Sequence, residues 1–306
     1  MIRPRLYLAT IVILILVLFN VFFILKSTNH DTGIRQGLAA EPFIIPVSEA
    51  SYLPALNTNI ASPEIKSRAA IVYDVNSTKH LYAKNIEEKL PIASLTKIMT
   101  AVVVLDKLNL KDIVTIPAEA LKVDGQVQDL FLDEKLTVED LLKLMLIKSS
   151  NDAAYALVQY AGKNNIDLIK EMNKKAFELR MLDSYFKDPA GLNDEAYSTA
   201  EDLVKLVNHS LAYPKLWDIV SRQTETVRSL SGIEHNVQTT NQLLGQLPGV
   251  IGGKTGYTED ALGCMILLVQ VSDKGDKIIS IILGSPERFT DSRRLVEWST
   301  QAYRWK

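Results

Sequence analysis

Residues 6–25, LYLATIVILILVLFNVFFIL, form an apolar run with no formal charge and a single amide, Asn20. About 20 such residues are what an α-helix needs to cross the hydrocarbon core of a bilayer. Arg3 and Arg5 precede the run. They predict a cytoplasmic stub over 1–5, a transmembrane signal-anchor helix over 6–25 and export of the remainder of the chain. A cleaved signal peptide is the alternative, but its apolar core spans roughly 7–15 residues. The nearest small-residue site, Leu38-Ala-Ala40, also lies well past the end of this one. Residues 26–61 are polar, with scattered Pro, Asn and Ser and short apolar islands such as Phe43-Ile-Ile-Pro46. That texture predicts an extracytoplasmic linker.

Beyond the linker the pattern changes. Ala69-Ala-Ile-Val-Tyr-Asp-Val75 and His80-Leu-Tyr-Ala83 flank Asn76-Ser-Thr78, which predicts a β-hairpin. Ile98, Val102, Leu105 and Leu108 recur at helical spacing after Ser94. Thr137-Val-Glu-Asp140 predicts a capped start for a buried helix through Leu141–Ile147, and a second helix runs from about Asp152 with Gly162 as its stop. Ser198-Thr-Ala-Glu201 reads as a capping box, so Ser198 is expected as a cap rather than a catalyst. Leu262–Val271 and Ile278–Leu283 predict strands, and Arg294–Tyr303 a closing amphipathic helix. Strands at both ends with helices between them predict an α+β domain over 62–306 with an antiparallel sheet.

Composition narrows the function. A net charge of −2 over 306 residues gives no reason to expect nucleic acid, whose phosphates call for a clustered basic surface. Cys264 is the sole cysteine and sits in an apolar run, which predicts an inert core thiol. His30, His80, His209 and His235 show no metal spacing, so neither metal nor cofactor is expected.

Two serines stand three residues ahead of a lysine. Ser94-Leu-Thr-Lys97 opens a long helix, where such a pair shares one face with Cβ atoms about 5–6 Å apart. The helix start also favours an oxyanion beside the serine. A lysine at its usual value of about 10.4 is protonated, so this pairing demands burial or a second nearby cation to free the amine. Ser184-Tyr-Phe-Lys187 has the same spacing but falls between Leu182 and Pro189 with no long helix after it.

Two further motifs favour the first copy. Lys148-Ser-Ser-Asn151 comes after a buried helix, where Ser149 and Asn151 suit a proton relay and an amide hydrogen bond to a peptide. Gly252-Gly-Lys-Thr-Gly256 precedes the strand-like run; Lys254 offers the second cation and Thr255 a hydroxyl for a carboxylate. Taken singly, these segments read as a cap, a loop and an exposed turn. A phosphate-binding Walker loop is excluded, since the required earlier glycine spacing is missing.

With these residues the chain resembles the serine D-alanyl-D-alanine carboxypeptidases, the low-molecular-weight penicillin-binding proteins of peptidase S11 type. The resemblance covers roughly 62–306 and takes in Phe131-Leu132, Asn151-Asp-Ala-Ala154, Gly191-Leu192, Ser198-Thr-Ala200 and Asn241-Gln-Leu-Leu244. It implies the penicilloyl-serine-transferase (β-lactamase-like) fold, a helical cluster beside a five-stranded antiparallel sheet. It also implies removal of the terminal D-Ala from peptidoglycan pentapeptide stems and covalent trapping by β-lactams. Ser94 is then the acylated nucleophile, Lys97 its general base and Ser149 the proton relay. Asn151, Lys254, Thr255 and Gly256 bind substrate, and the backbone N–H groups of Ser94 and Tyr257 form the oxyanion hole.

The chain departs from that pattern at Thr239-Thr-Asn-Gln-Leu-Leu244, which lacks the basic residue many relatives carry there. The β-rich carboxy-terminal domain of the type member is not expected, and the amino-terminal helix takes over anchoring. A class A β-lactamase shares the motifs but needs Glu-x-x-Leu-Asn; Pro189-Ala-Gly-Leu-Asn193 has proline in place of the acid. A non-hydrolytic penicillin sensor is a further alternative, although no motif residue is damaged. An endopeptidase uses the same chemistry and is not separable by sequence.

Overall fold

The computed structural model describes residues 53–123 and 130–305, with Leu18 alone from the amino-terminal stretch. The stub, the expected membrane helix over 6–25 (Leu18 apart) and most of the expected linker lie outside the described residues. Among the described residues no helix is long and apolar enough to cross a membrane.

In chain order the strands are β1 (Ala55–Leu56), β2 (Ala69–Asp74), β3 (Lys79–Lys84), β4 (Ile113–Thr115), β5 (Lys135–Thr137), β6 (Thr224–Arg228), β7 (Glu234–Gln238), β8 (Val250–Thr258), β9 (Leu262–Gln270), β10 (Lys277–Ser285) and β11 (Tyr303–Arg304). The helices are α1 (Thr96–Lys107), α2 (Val138–Lys143), α3 (Asn151–Lys163), α4 (Leu168–Glu178), α5 (Ala200–Ser210), α6 (Pro214–Val220) and α7 (Arg288–Ala302). A five-stranded sheet runs in the order β3-β2-β10-β9-β8, and every pairing in it is antiparallel.

Both faces of this sheet are covered, which is why β9 and β10 read as unbroken apolar runs instead of alternating. Ala69, Ile71, Ile266, Leu268, Ile279 and Ile281 join one core with the helices. Ala70, Val72, Met265, Leu267, Val269, Ile278 and Ile282 face the other way, against Leu295 and Val296 of α7. The two-residue period of the strands assigns each side chain to its layer. Strand β1 falls within the stretch expected as linker, and its pairing with β11 ties that stretch to the end of the chain.

Four local expectations shift. Helix α5 is capped by Thr199, whose Oγ1 accepts from Asp202 N at 3.0 Å. Ser198 is held extended by reciprocal backbone hydrogen bonds with Leu90 and cannot cap. Helix α3 runs through Gly162 and stops at Asn164 and Asn165, the latter left-handed at φ +60°. The closing helix starts at Arg288, a full turn and more before the expected Arg294. The Gly252–Gly256 segment, expected before a strand, lies inside β8.

Candidate active site

Ser94 sits on a 3₁₀ turn, Ala93–Leu95, that leads directly into α1. Its hydroxyl makes no capping bond there. It lies 2.8 Å from Lys97 Nζ. The amine is also 2.8 Å from Asn151 Oδ1 and 3.1 Å from the Ala190 carbonyl oxygen. Lys97 is fully buried, and burial pulls its pKa down to about 7, against an opposing pull from Asp188. A neutral amine has two N–H bonds and one lone pair. Asn151 Oδ1 and the Ala190 carbonyl can only accept, so they take both N–H bonds and leave the lone pair facing Ser94 Oγ.

The second wall comes from a change of helical pitch. After α2 the chain makes a π-turn, Leu144–Lys148, and Ser149 closes it in the left-handed region at φ +70°. Ser150 Oγ then caps α3 by accepting from Ala153 N at 3.2 Å. Of the two adjacent serines, Ser150 therefore does the capping, which frees the Ser149 hydroxyl. That hydroxyl lies 2.8 Å from Lys254 Nζ.

The third wall is β8, the edge strand of the sheet. Lys254 also donates to the Thr255 carbonyl at 2.8 Å. Its pKa is held well below the ordinary lysine range, first by burial and then by repulsion from Lys97 and Arg288. Lys254 stands where a second cation was expected: burial is the first cause of the low Lys97 pKa, and the two lysines repel each other across the site. A Cβ on Gly256 would come within 3.0 Å of both Ser94 N and the Ile92 carbonyl oxygen. Only glycine lets this strand pass so close to the Ser94 turn. Next along the strand, the Tyr257 side chain is exposed.

Two residues of this site carried no mark in the sequence. Thr240 Oγ1 lies 2.6 Å from Thr255 Oγ1, and the Thr240 amide donates to Ile147 O of the π-turn at 3.2 Å. Arg288, at the start of α7, places its guanidinium 5.9 Å from the Tyr257 ring centroid, with a buried Nε that has no protein partner. Burial lowers the pKa of Arg288, so any anion near it gains from an underpaired cation.

The other candidates are placed as plainly. Ser184 Oγ donates to Asp202 Oδ2 at 2.8 Å, while Lys187 pairs with Glu195; this copy of the spacing makes no Ser–Lys pair. Cys264, opposite Gly256 in the β8–β9 register, is buried, with its thiol pushed up to about 11. Among the described residues no cluster of three or more His, Cys, Asp or Glu is placed to hold a metal.

A helical cluster on a five-stranded antiparallel sheet, with a buried amine on a serine at their junction, is the arrangement of the penicilloyl-serine-transferase fold. The family profile described as D-alanyl-D-alanine carboxypeptidase, Peptidase_S11, matches residues 56–287, and this chain belongs to that family. It is 30% identical over 248 residues to the D-alanyl-D-alanine carboxypeptidase DacF of Bacillus subtilis (strain 168), a match covering 78% of this chain and 63% of that relative. It is 34% identical to a D-alanyl-D-alanine endopeptidase of Pseudomonas aeruginosa, covering 77% of each. The crystal structure of the Streptomyces K15 DD-transpeptidase superposes with a TM-score of 0.73 at 27% identity, covering 79% of this chain and 100% of the other.

Proposed function

We propose that this chain is a serine-type D-Ala-D-Ala carboxypeptidase that removes the terminal D-Ala from peptidoglycan pentapeptide stems. The observation that carries the reading is the 2.8 Å contact between a buried, deprotonatable Lys97 amine and the Ser94 hydroxyl. Ser94 Oγ attacks the carbonyl carbon of the penultimate D-Ala, and its proton passes to Lys97 Nζ. The backbone N–H groups of Ser94 and Tyr257 receive the developing oxyanion. Collapse breaks the peptide bond, and the departing amine takes a proton from the Ser149 hydroxyl; Lys254 restores that proton and is resupplied by the one Lys97 took from Ser94, which leaves Lys97 neutral again. Water then attacks the ester and gives its proton to Lys97, which releases the shortened stem and frees Ser94.

The same walls orient the substrate. Asn151 and the free edge of β8 offer hydrogen bonds to an extended peptide. The Thr255 and Thr240 hydroxyls with the Arg288 guanidinium suit the terminal carboxylate, which answers the missing basic residue in the Thr239–Leu244 segment. Gly256 keeps the strand close enough for this. β-Lactams acylate Ser94 as covalent inhibitors. Asp188, next to the proline of the β-lactamase-like segment, has both carboxyl oxygens occupied by backbone amides, which disfavours a water-activating role and rapid penicillin turnover.

Residues 6–25 anchor the protein in the cell membrane, with the catalytic domain on the extracytoplasmic side; the charge pattern around the run supports this orientation. Replacing Ser94 with alanine tests the activity: loss of both D-Ala release and fluorescent-penicillin labelling is expected, and retained release contradicts the reading. The same chemistry on crosslinked stems is the endopeptidase reading, favoured by the 34% identity to the Pseudomonas relative. Digestion of purified muropeptides distinguishes monomer from crosslink cleavage.

A further inference from the structure

One carboxyl group acts on the Lys97 amine electrostatically and is not used by the reaction above. Asp188 is only 7% exposed and precedes a tight turn against α1. Its Oδ1 accepts from the backbone N–H of Ala190 at 2.7 Å, of Gly191 at 2.6 Å and of Leu192 at 3.2 Å. Its Oδ2 accepts from Leu192 at 3.1 Å and Asn193 at 2.8 Å. One carboxyl group thus gathers four successive amides. The turn is also pinned from α1, where Thr100 Oγ1 donates to the Pro189 carbonyl at 2.7 Å. Gly191 nests under the nucleophile turn at φ +77°, where a Cβ would lie 1.9 Å from the Ala93 carbonyl oxygen. The product of this folding is the Ala190 carbonyl, held 3.1 Å from Lys97 Nζ.

Resting on the proposed function, we propose that Asp188 is a positioning residue for the reaction: it folds the turn that fixes the Lys97 amine toward Ser94 and places a buried carboxylate charge beside that amine. The two effects act on one atom. Geometry takes one N–H of Lys97 with the Ala190 carbonyl, so the lone pair stays aimed at Ser94. Charge opposes the burial that drives protons off Lys97 and so raises the amine's pKa. Without that carboxylate the amine is a weaker base and takes the serine proton less readily.

Other charged groups face this pair as well. Lys254 faces Lys97 from β8 and bears its repulsion. Asp152 lies on the first turn of α3, and Tyr155, one turn further on, is pushed up to about 12 by burial and by Asp188. Asp194, beside the turn, is raised by burial and by its neighbour Asp260, with Asp188 as a smaller cause. None of these reproduces the contact of Asp188 with the Ala190 turn.

The test is the pH dependence of Ser94 acylation by a fluorescent penicillin in the full chain, for wild type, Asp188→Asn, Asp188→Ser and the control Glu195→Gln. Glu195 is a surface carboxylate on the same segment, paired with Lys187. The serine variant keeps a hydroxyl acceptor for the turn and serves if the asparagine variant fails to fold. Removing the charge should move the acid limb of the profile down by roughly one pH unit. Loosening the turn should lower the limiting rate by about 10- to 100-fold. Glu195→Gln should change neither. An acid limb that stays in place in the folded uncharged variants overturns the inference, even if the rate falls. A wild type that is not acylated at all refutes the proposed function instead.

Discussion

Lys254 Nζ lies 2.8 Å from Ser149 Oγ, two residues separated by 105 positions of chain. With Ser94 and Lys97 they give the cleft two Ser–Lys pairs, one local and one assembled across the fold. The local pair carries the nucleophile. The distant pair stands where a proton has to be delivered to a leaving amine.

That division predicts strong coupling between Ser149 and Lys254. Ser149→Gly suits the left-handed backbone at φ +70° and removes only the hydroxyl. It should lower kcat by about 10²- to 10⁴-fold. Combining it with Lys254→Gln should cost little more than either alone, because the two act as one unit. A double-mutant cycle with additive losses contradicts the relay.

Lys97 sets the acid limb of the reaction. Its amine is neutral above about 7 and protonated below. The profile of kcat/KM should therefore rise with pH through neutrality, and measurement over that range checks it. Lys97→Arg, whose guanidinium stays charged, should lose acylation at every pH.

The same burial has a consequence for stability. An ordinary lysine near 10.5 stays protonated in the unfolded chain, while Lys97 in the folded chain gives up its proton near 7. Between those values the unfolded state binds the extra proton, so folded stability gains as pH rises across the window. Denaturant titrations of wild type and Lys97→Met should diverge in that direction between neutral and alkaline pH. Parallel curves contradict a depressed Lys97.

Glycine 256 tests the close approach of β8. Gly256→Ala puts a methyl within 3.0 Å of Ser94 N and 3.1 Å of Ala93 Cβ. The nucleophile turn or the strand must give way, so acylation should slow by about 100-fold while the fold persists. Gly191→Ala is expected to be worse for stability, by about 3 kcal/mol or more, because left-handed strain adds to a clash with the Ala93 carbonyl. Thermal unfolding measures the second effect and penicillin labelling the first.

Much of this was legible in the sequence. Ser94, Lys97, Ser149, Asn151, Lys254, Thr255 and Gly256 all lie at the ends or edges of elements, where short motifs survive reading without coordinates. The β9 and β10 runs read as strands, and the structure explains their unbroken apolar character by burial on both faces. Other features were hidden for physical reasons. Paired glycines made Gly252–Gly256 read as a turn, because their strand character comes from pairing with β9 across the chain. The choice of Thr199 over Ser198 as cap was made by a bridge to Leu90, far away along the chain. Arg288 and Thr240 act through position alone. Asp188 belongs to no motif read in the sequence; only the fold brings its carboxylate onto four backbone amides.

The whole scheme requires one alcohol, Ser94, to be the group that is acylated. Peptide-mapping mass spectrometry of the full chain after exposure to penicillin reads this directly. The penicilloyl mass should sit on the peptide containing Ser94 and persist long enough to be isolated. An adduct on Ser149, Ser184 or any other residue, or a chain left unmodified while penicillin is consumed, contradicts it.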